Sequence, residues 1–243
     1  MASTTVESER RARSSGERRM YTGAAIAAAL VVFAGFARTY YLKSAFGTPD
    51  LTTLKQVHGA VMTGWFALFV VQVRLVATGR TAVHRKVGVA GAGLAALVVA
   101  MGTMLGIASA RAGATPIPSL SPLVFLVMPI GEIALFAGLV AAGLAMRKRP
   151  AWHKRFMLLS SVAILTPAMA RLPFDFIQAG GPLVFFALTD LVVLACIAVD
   201  TAKNRRLHPA FAMGFVYVLV MQFGRLAFSQ TQAWMNFARW LVA

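Results

Sequence analysis

Long apolar runs separated by short polar turns make up most of the chain. Two of them, residues 54–76 and 87–109, flank a turn that carries Arg80, His84 and Lys86. Each run approaches the roughly 20 residues that a helix needs to cross about 30 Å of hydrocarbon. The pattern therefore predicts seven membrane-spanning helices, at residues 20–41, 54–76, 87–109, 122–146, 156–174, 182–200 and 209–229.

The composition of these runs favours helices over strands. Leu, Ala and Gly are common in them, and alternation with a period of two residues is missing from the sequence. A transmembrane barrel requires that alternation, so the pattern predicts an all-α polytopic helix bundle over residues 20–229. Pro167 lies inside the fifth run. Helices in lipid tolerate proline where neighbouring groups satisfy the backbone, so we treat residues 156–174 as one span.

The two ends of the chain differ from the runs between them. Residues 1–19 are polar and contain five arginines, which predicts a disordered basic cytoplasmic tail. This tail and the first run also match a secretory signal peptide, but the run is long for that role and we favour an uncleaved anchor. Residues 230–243 bring Trp234, Phe237 and Leu241 towards one helical face, which predicts an amphipathic segment at the outer interface.

The composition and the charge of the chain indicate which partner surrounds it. Hydrophobic residues make up 58% of the sequence, and 24 Lys and Arg against 8 Asp and Glu give a net charge of +16. The basic residues lie in the turns and the tail rather than on one continuous face. This distribution favours anionic phospholipid headgroups over nucleic acid as the partner. The single cysteine, Cys196, lies in an apolar run and is predicted to be a buried free thiol.

The basic residues also predict an orientation. Sixteen Lys and Arg lie on the side of the N-terminal tail and five on the opposite side. The positive-inside rule then places the N-terminus in the cytoplasm, and an odd number of spans leaves the C-terminus outside. We expect a multi-pass protein of a bacterial-type inner membrane.

Three turns share a short basic motif that contains one histidine. The motifs are TAVHRK, PAWHKR and RRLHPA, with His84, His153 and His208. Their spacing suggests one leading helix followed by three related hairpins. Zinc and haem are alternative partners of these histidines. The basic neighbours favour anchoring to headgroups instead, so we predict no metal site.

Ionisable residues inside the predicted spans are the best indication of function. A charge at the centre of a bilayer costs about 2.5–3.5 kcal/mol, so such residues normally face the bundle and find partners. A rise of about 1.5 Å per residue places six polar side chains in the outer half of the bundle. The predicted ligand-binding residues are His58, Glu132, Arg171, Asp190, Gln222 and Arg225.

Two interpretations of these six residues remain open. In the first, they form a pocket for a small ligand, an ion or a proton, used for transport or sensing, with His58 as the pH-responsive member. Arg171 and Arg225 would each hold a carboxylate by two hydrogen bonds. In the second, they are a buried network that fixes the helix register of a structural or assembly subunit. Motifs such as GxSxG, HExxH and the P-loop are missing from suitable contexts, so we predict no catalytic residues.

Two motifs carry a resemblance to known families. GRxxxHRKxG follows His58, Gly59 and Trp65, and WHKRFMLL stands in a later turn. Over about residues 54–175 the chain resembles uncharacterised bacterial inner-membrane proteins of six to eight spans. It also resembles the membrane parts of cytochrome b561 and ferric reductase relatives, which implies a redox protein that binds haem b or quinone. Those cytochromes hold haem between facing histidines, whereas His58 has no such partner here, and we assign no haem ligands.

Overall fold

A computed structural model describes the backbone of residues 2–117 and 119–243, and the side chains from Ser15 onward apart from residue 118. The described residues are mostly helical and form no strand, which confirms the all-α prediction. The helices are α1 (Ala2–Phe36), α2 (Thr53–Ala77), α3 (Thr81–Arg111), α4 (Pro122–Ala145), α5 (Pro150–Val162), α6 (Thr166–Met169), α7 (Asp175–Asn204), α8 (Pro209–Phe228) and α9 (Gln232–Val242).

Among the described residues, six helical segments are long and apolar enough to cross a membrane. They are Ser15–Tyr41, Thr53–Ala77, Thr81–Arg111, Pro122–Ala145, Asp175–Asn204 and Pro209–Phe228. Large apolar side chains such as Leu30, Val89 and Leu183 are exposed on their outer surfaces. An apolar outer surface on helices of this length is typical of a multi-pass membrane protein.

The fifth predicted span is interrupted. α5 ends at Val162, a 3₁₀ turn follows over Ala163–Leu165, and the backbone at Ile164 leaves the helical conformation with φ −92° and ψ 17°. Pro167 explains the break, because proline has no N–H for the carbonyl four residues earlier and its ring crowds that carbonyl. The prediction of one continuous helix over residues 156–174 is therefore wrong.

The interrupted segment lies at the centre of the bundle. Leu158, Leu159, Ala163 and Leu165 are fully buried, and α1, α4, α7 and α8 pack around them. Gly35 of α1 lies so close to the backbone of α6 that a side chain there would meet a carbonyl. The surrounding helices thus separate the backbone groups freed by the break from the outer surface of the bundle.

The first helix starts earlier than the predicted boundary at residue 20. α1 begins at Ala2, and its residues 15–19 contact other helices. Glu17 forms an ion pair with Lys154 at the start of α5, and Arg18 donates to the carbonyl of Ala77 at the end of α2, at 3.2 Å. These contacts hold the helix beyond the apolar run. The tail residues Arg10, Arg11 and Arg13 lie outside the described side chains.

The segment 230–243 contains the short amphipathic helix α9. Trp234 is buried against α4, where its Nε1 donates to the carbonyl of Leu123 at 2.8 Å. The ring of Phe237 lies 5.8 Å from that of Trp234, and Phe237 and Trp240 have 43% and 69% of their surfaces exposed. The placement of α9 at a membrane interface stays a prediction.

Candidate functional site

A buried ion pair joins α4 to α8. Nη1 of Arg225 lies 2.5 Å from Oε2 of Glu132 and donates to the carbonyl of Met128 at 3.0 Å. Glu132 is 8% exposed and Arg225 is 5% exposed. The ring of Phe186 on α7 lies 4.9 Å from Cζ of Arg225 and covers one face of the guanidinium. Two of the predicted residues, far apart in sequence, therefore meet.

A second polar pair joins α7 to α8. Nε2 of Gln222 donates to Oδ1 of Asp190 at 3.1 Å. Gln222 is fully buried, whereas Asp190 is half-buried. Gln222 and Arg225 are three residues apart and so lie on the same face of α8. We call Glu132, Asp190, Gln222 and Arg225 the outer polar cluster, after the half of the bundle in which the sequence predicts them.

Two threonines that the sequence analysis missed border this cluster. Oγ1 of Thr189 donates to a backbone carbonyl and lies within hydrogen-bond distance of Oγ1 of Thr166, at 3.2 Å. Thr166 begins α6, directly after the helix break, and lies beside the carboxylate of Glu132. A hydroxyl in an apolar run costs little and occurs often, so the sequence gives no signal that distinguishes these two residues.

Four polar atoms of the outer polar cluster have no hydrogen-bond partner among the residues that the structure describes. They are Oε1 of Glu132, Oε1 of Gln222, and Nε and Nη2 of Arg225, and all four are buried. An unpaired buried polar group costs about 1–3 kcal/mol, so such atoms are rare in folded proteins. Donors and acceptors concentrated in one place are typical of a site that binds a small polar molecule.

The remaining predicted residues, His58 and Arg171, form no hydrogen bond with this cluster. Nη1 of Arg171 donates to the carbonyl of Pro167 at 2.7 Å, and its Cζ lies 4.7 Å from the ring of Phe36. Because α6 ends at Met169, Arg171 caps that helix, and no carboxylate of the described residues forms an ion pair with it. The ring of His58 lies near Gly102 of α3, and its Nδ1 has no partner.

Another buried ion pair lies at the opposite end of the bundle. Nε and Nη2 of Arg155 bind the carboxylate of Asp200 at distances between 2.8 and 3.0 Å. The pair is 3% and 0% exposed. Arg155 lies in a basic turn and Asp200 at the end of a predicted span, and neither was predicted to be a site residue. The small number of acidic residues could have pointed to Asp200. The chain has only eight, so each acid next to a span is a candidate partner for a buried arginine.

The three turn histidines occupy equivalent ends of their helices. The rings of His84 and His153 are 6.2 Å apart, and Nδ1 of His208 accepts from the backbone N–H of Ala210 at 3.1 Å. Burial, and then repulsion by Arg155, lower the pKa of His208 below its usual value. Within the described residues, no group of three or more His, Cys, Asp or Glu side chains is placed to hold a metal ion.

No protein-family model, curated protein or solved structure matches the chain. The resemblance to cytochrome b561 and ferric reductase relatives therefore stays a prediction. The chemistry of the site is inferred from the residues described above.

Proposed function

We propose that the chain is a seven-span protein of a bacterial-type inner membrane that binds a small polar ligand in the outer half of the bundle, for transport or sensing. The observation that carries this proposal is the set of four unpartnered buried atoms on Glu132, Gln222 and Arg225. A network that only fixes helix register gains most when every member is satisfied. Unsatisfied atoms on both partners of an ion pair favour a ligand site instead.

Contacts at both ends of the interrupted segment support a seventh crossing. α5 starts beside the beginning of the apolar part of α1, where Lys154 pairs with Glu17. The turn after α6 lies beside the end of α1, where Arg171 covers the ring of Phe36. The segment therefore extends along the length of α1. Backbone that departs from a helix is tolerated at membrane depth when protein surrounds it.

The positive-inside rule supports the proposed orientation. The turns that carry most of the basic residues meet at the end of the bundle where Arg18 contacts Ala77. Placing this end in the cytoplasm puts the outer polar cluster nearer the external surface and leaves α9 outside. The three-hairpin repeat belongs to the same proposal, since His84, His153 and His208 all stand at this end.

The packing of α7 supports access to the cluster. α8 packs closely against α4 but makes few contacts with α7. Asp190, between α7 and α8, is only half-buried. Interrupted helices beside a polar site recur in membrane transporters, where they coordinate ligands. In this chain, the helix break at Ile164 likewise lies beside the polar cluster that contains Glu132.

Thermal unfolding of the purified protein in detergent tests the proposal. Small carboxylates, amines, polyols and inorganic anions are added in turn, because a ligand at about 100 times its Kd stabilises the folded state by about 2.7 kcal/mol. We expect at least one class to raise the Tm of the wild type, and Glu132→Gln and Gln222→Ala to reduce that increase. Asp50→Asn, in an exposed loop, is the control that retains it.

Two outcomes contradict the proposed function. In one, no class of compound raises the Tm of the wild type. In the other, the increase is unchanged in Glu132→Gln and Gln222→Ala, and these substitutions alter only the Tm of the unliganded protein. The second outcome assigns the cluster to helix packing in a structural or assembly subunit.

A further inference from the structure

The two buried arginines use their guanidinium groups differently. Arg155 donates from Nη1 to the carbonyl of Ala151 at 2.7 Å, and its Nε and Nη2 bind the carboxylate of Asp200. Arg225 likewise donates from Nη1 to a helix carbonyl, that of Met128. Its Nε and Nη2 are buried without a partner. The edge of the guanidinium formed by Nε and Nη2 thus holds a carboxylate in Arg155 and is unused in Arg225.

The chemistry of this edge selects its ligand. The N–H groups of Nε and Nη2 point in parallel, with a spacing that matches the two oxygens of a carboxylate. Phe186 covers a face of the Arg225 guanidinium, and Glu132 contacts Nη1. The edge is therefore the part of Arg225 that remains for a ligand, and lysine cannot reproduce it.

We propose that the ligand of the outer polar cluster is an organic carboxylate, held by two parallel hydrogen bonds from Nε and Nη2 of Arg225. This inference rests on the proposed function and names its substrate class. Oε1 of Gln222 and Oε1 of Glu132 are acceptors that also lack partners. Oε1 of Gln222 accepts a hydrogen bond from a hydroxyl group of the ligand, and the carboxylate of Glu132 takes up a proton that arrives with the acid.

The acidic residues near this edge of Arg225 make binding of a further carboxylate costly unless a proton is taken up with it. Glu132 from α4 already pairs with Arg225 from α8, and Asp190 from α7 binds Gln222 on the same face of α8, so a bound carboxylate would be the third acid of the cluster. Uncompensated charge in a buried site is costly. The other two predicted site residues, His58 and Arg171, form no hydrogen bond with the cluster. We therefore expect carboxylate binding to strengthen as the pH falls.

Two kinds of molecule supply this chemistry, namely a water-soluble acid and a fatty acid from the bilayer. α7 and α8 pack sparsely beside the cluster, and both helices expose apolar side chains, such as Leu191 and Val220, to the outside of the bundle. An apolar surface next to a carboxylate site is suited to an acyl chain, whereas a soluble acid enters from the external end. Benzoate and dodecanoate serve as the two probes.

The experiment measures thermal unfolding of the full chain in lipid nanodiscs with each acid and with its amide, benzamide or dodecanamide, on both sides of neutral pH. We expect at least one acid to raise the Tm, more at the lower pH, and its amide to leave it unchanged. Arg225→Lys keeps a positive charge beside Glu132 but lacks the edge, so it should lose the increase. Arg171→Lys is the matched control that should retain it.

Infrared spectra with a ¹³C-labelled carboxylate give a readout that needs no variant to fold. The carboxylate stretching bands of the bound probe should differ from those of the free probe in the wild type. Unshifted bands, equal stabilisation by the amide, or retention of the effect in Arg225→Lys each overturn the carboxylate assignment. If amines or polyols stabilise the protein instead, the proposed function survives and this inference fails; if no compound does, both fail.

Discussion

Arg155 binds Asp200 through two nitrogens, with Nε 3.0 Å from Oδ2 and Nη2 2.9 Å from Oδ1. The pair joins the start of α5 to the end of α7, and neither side chain reaches solvent. Because α5 is followed by the helix break, this link fixes one end of the interrupted segment against the end of α7. The other end, near Thr166, borders the outer polar cluster.

Asp200→Asn should destabilise the protein strongly. It leaves the guanidinium of Arg155 buried without a counter-charge, which typically costs about 3–5 kcal/mol. Thermal unfolding in detergent measures the loss. The double substitution Arg155→Met with Asp200→Leu removes both charges and should recover most of the stability. A loss below about 1 kcal/mol, the value of an exposed ion pair, would contradict a buried link.

Gly181→Ala should also destabilise the protein, through the backbone alone. Gly181 interrupts α7 with φ 61° and ψ −158°, a conformation that is essentially restricted to glycine. No atom lies within 4 Å of an added Cβ, so the expected cost of about 1–3 kcal/mol is conformational strain. Gly93→Ala in α3 is the matched control, since it also has open space around it and is helical. Equal Tm values for the two variants would refute this explanation.

His208 should make stability depend on pH. Its Nδ1 accepts a hydrogen bond only when unprotonated, and its pKa in the folded state lies below the unfolded value of about 6.5. The unfolded chain therefore binds more protons in this window, so the contribution is complete above about pH 6.5 and is lost as the pH falls through the folded pKa. His208→Asn keeps a capping acceptor that does not titrate, so its Tm should vary less with pH in this range. The same pH dependence in both proteins would exclude His208 as the source.

Trp240 should report contact between α9 and the membrane surface. In proteoliposomes, brominated lipids quench tryptophan at the depth of the bromine. A variant whose only tryptophan is Trp240 should be quenched more by bromine near the headgroups than by bromine near the bilayer centre. A matched variant that retains only Trp65, which is buried in the bundle, should be quenched weakly. If bromine near the bilayer centre quenched Trp240 more strongly than bromine near the headgroups, the interfacial placement of α9 would be contradicted.

The sequence predicted the continuous spans well, because each apolar run is bounded by a polar turn. The span predicted at 122–146 is the helix Pro122–Ala145, for example. It did not predict where helices depart from that pattern. The start of α1 depends on contacts such as that between Glu17 and Lys154, and the break near Pro167 depends on how the surrounding helices pack.

The candidate site was also predicted only in part from the sequence. Glu132 and Arg225 are isolated charged residues within apolar runs at a similar depth, so depth alone was enough to predict that they are close. Arg171 satisfied the same criterion, but the end of α6 turned it towards Pro167. The buried partner Asp200 lies at the end of a span, where depth does not distinguish a solvated carboxylate from a paired one.

The central claim is that the outer polar cluster binds a carboxylate at Arg225. A crystal structure grown in a lipidic mesophase with para-bromobenzoate tests it directly, because the anomalous signal of bromine locates the probe. The account predicts that both carboxylate oxygens of the probe lie within hydrogen-bond distance of Nε and Nη2 of Arg225. It would be contradicted if a carboxylate of the protein itself, such as that of Asp190, occupied this edge, or if the bromine signal lay elsewhere.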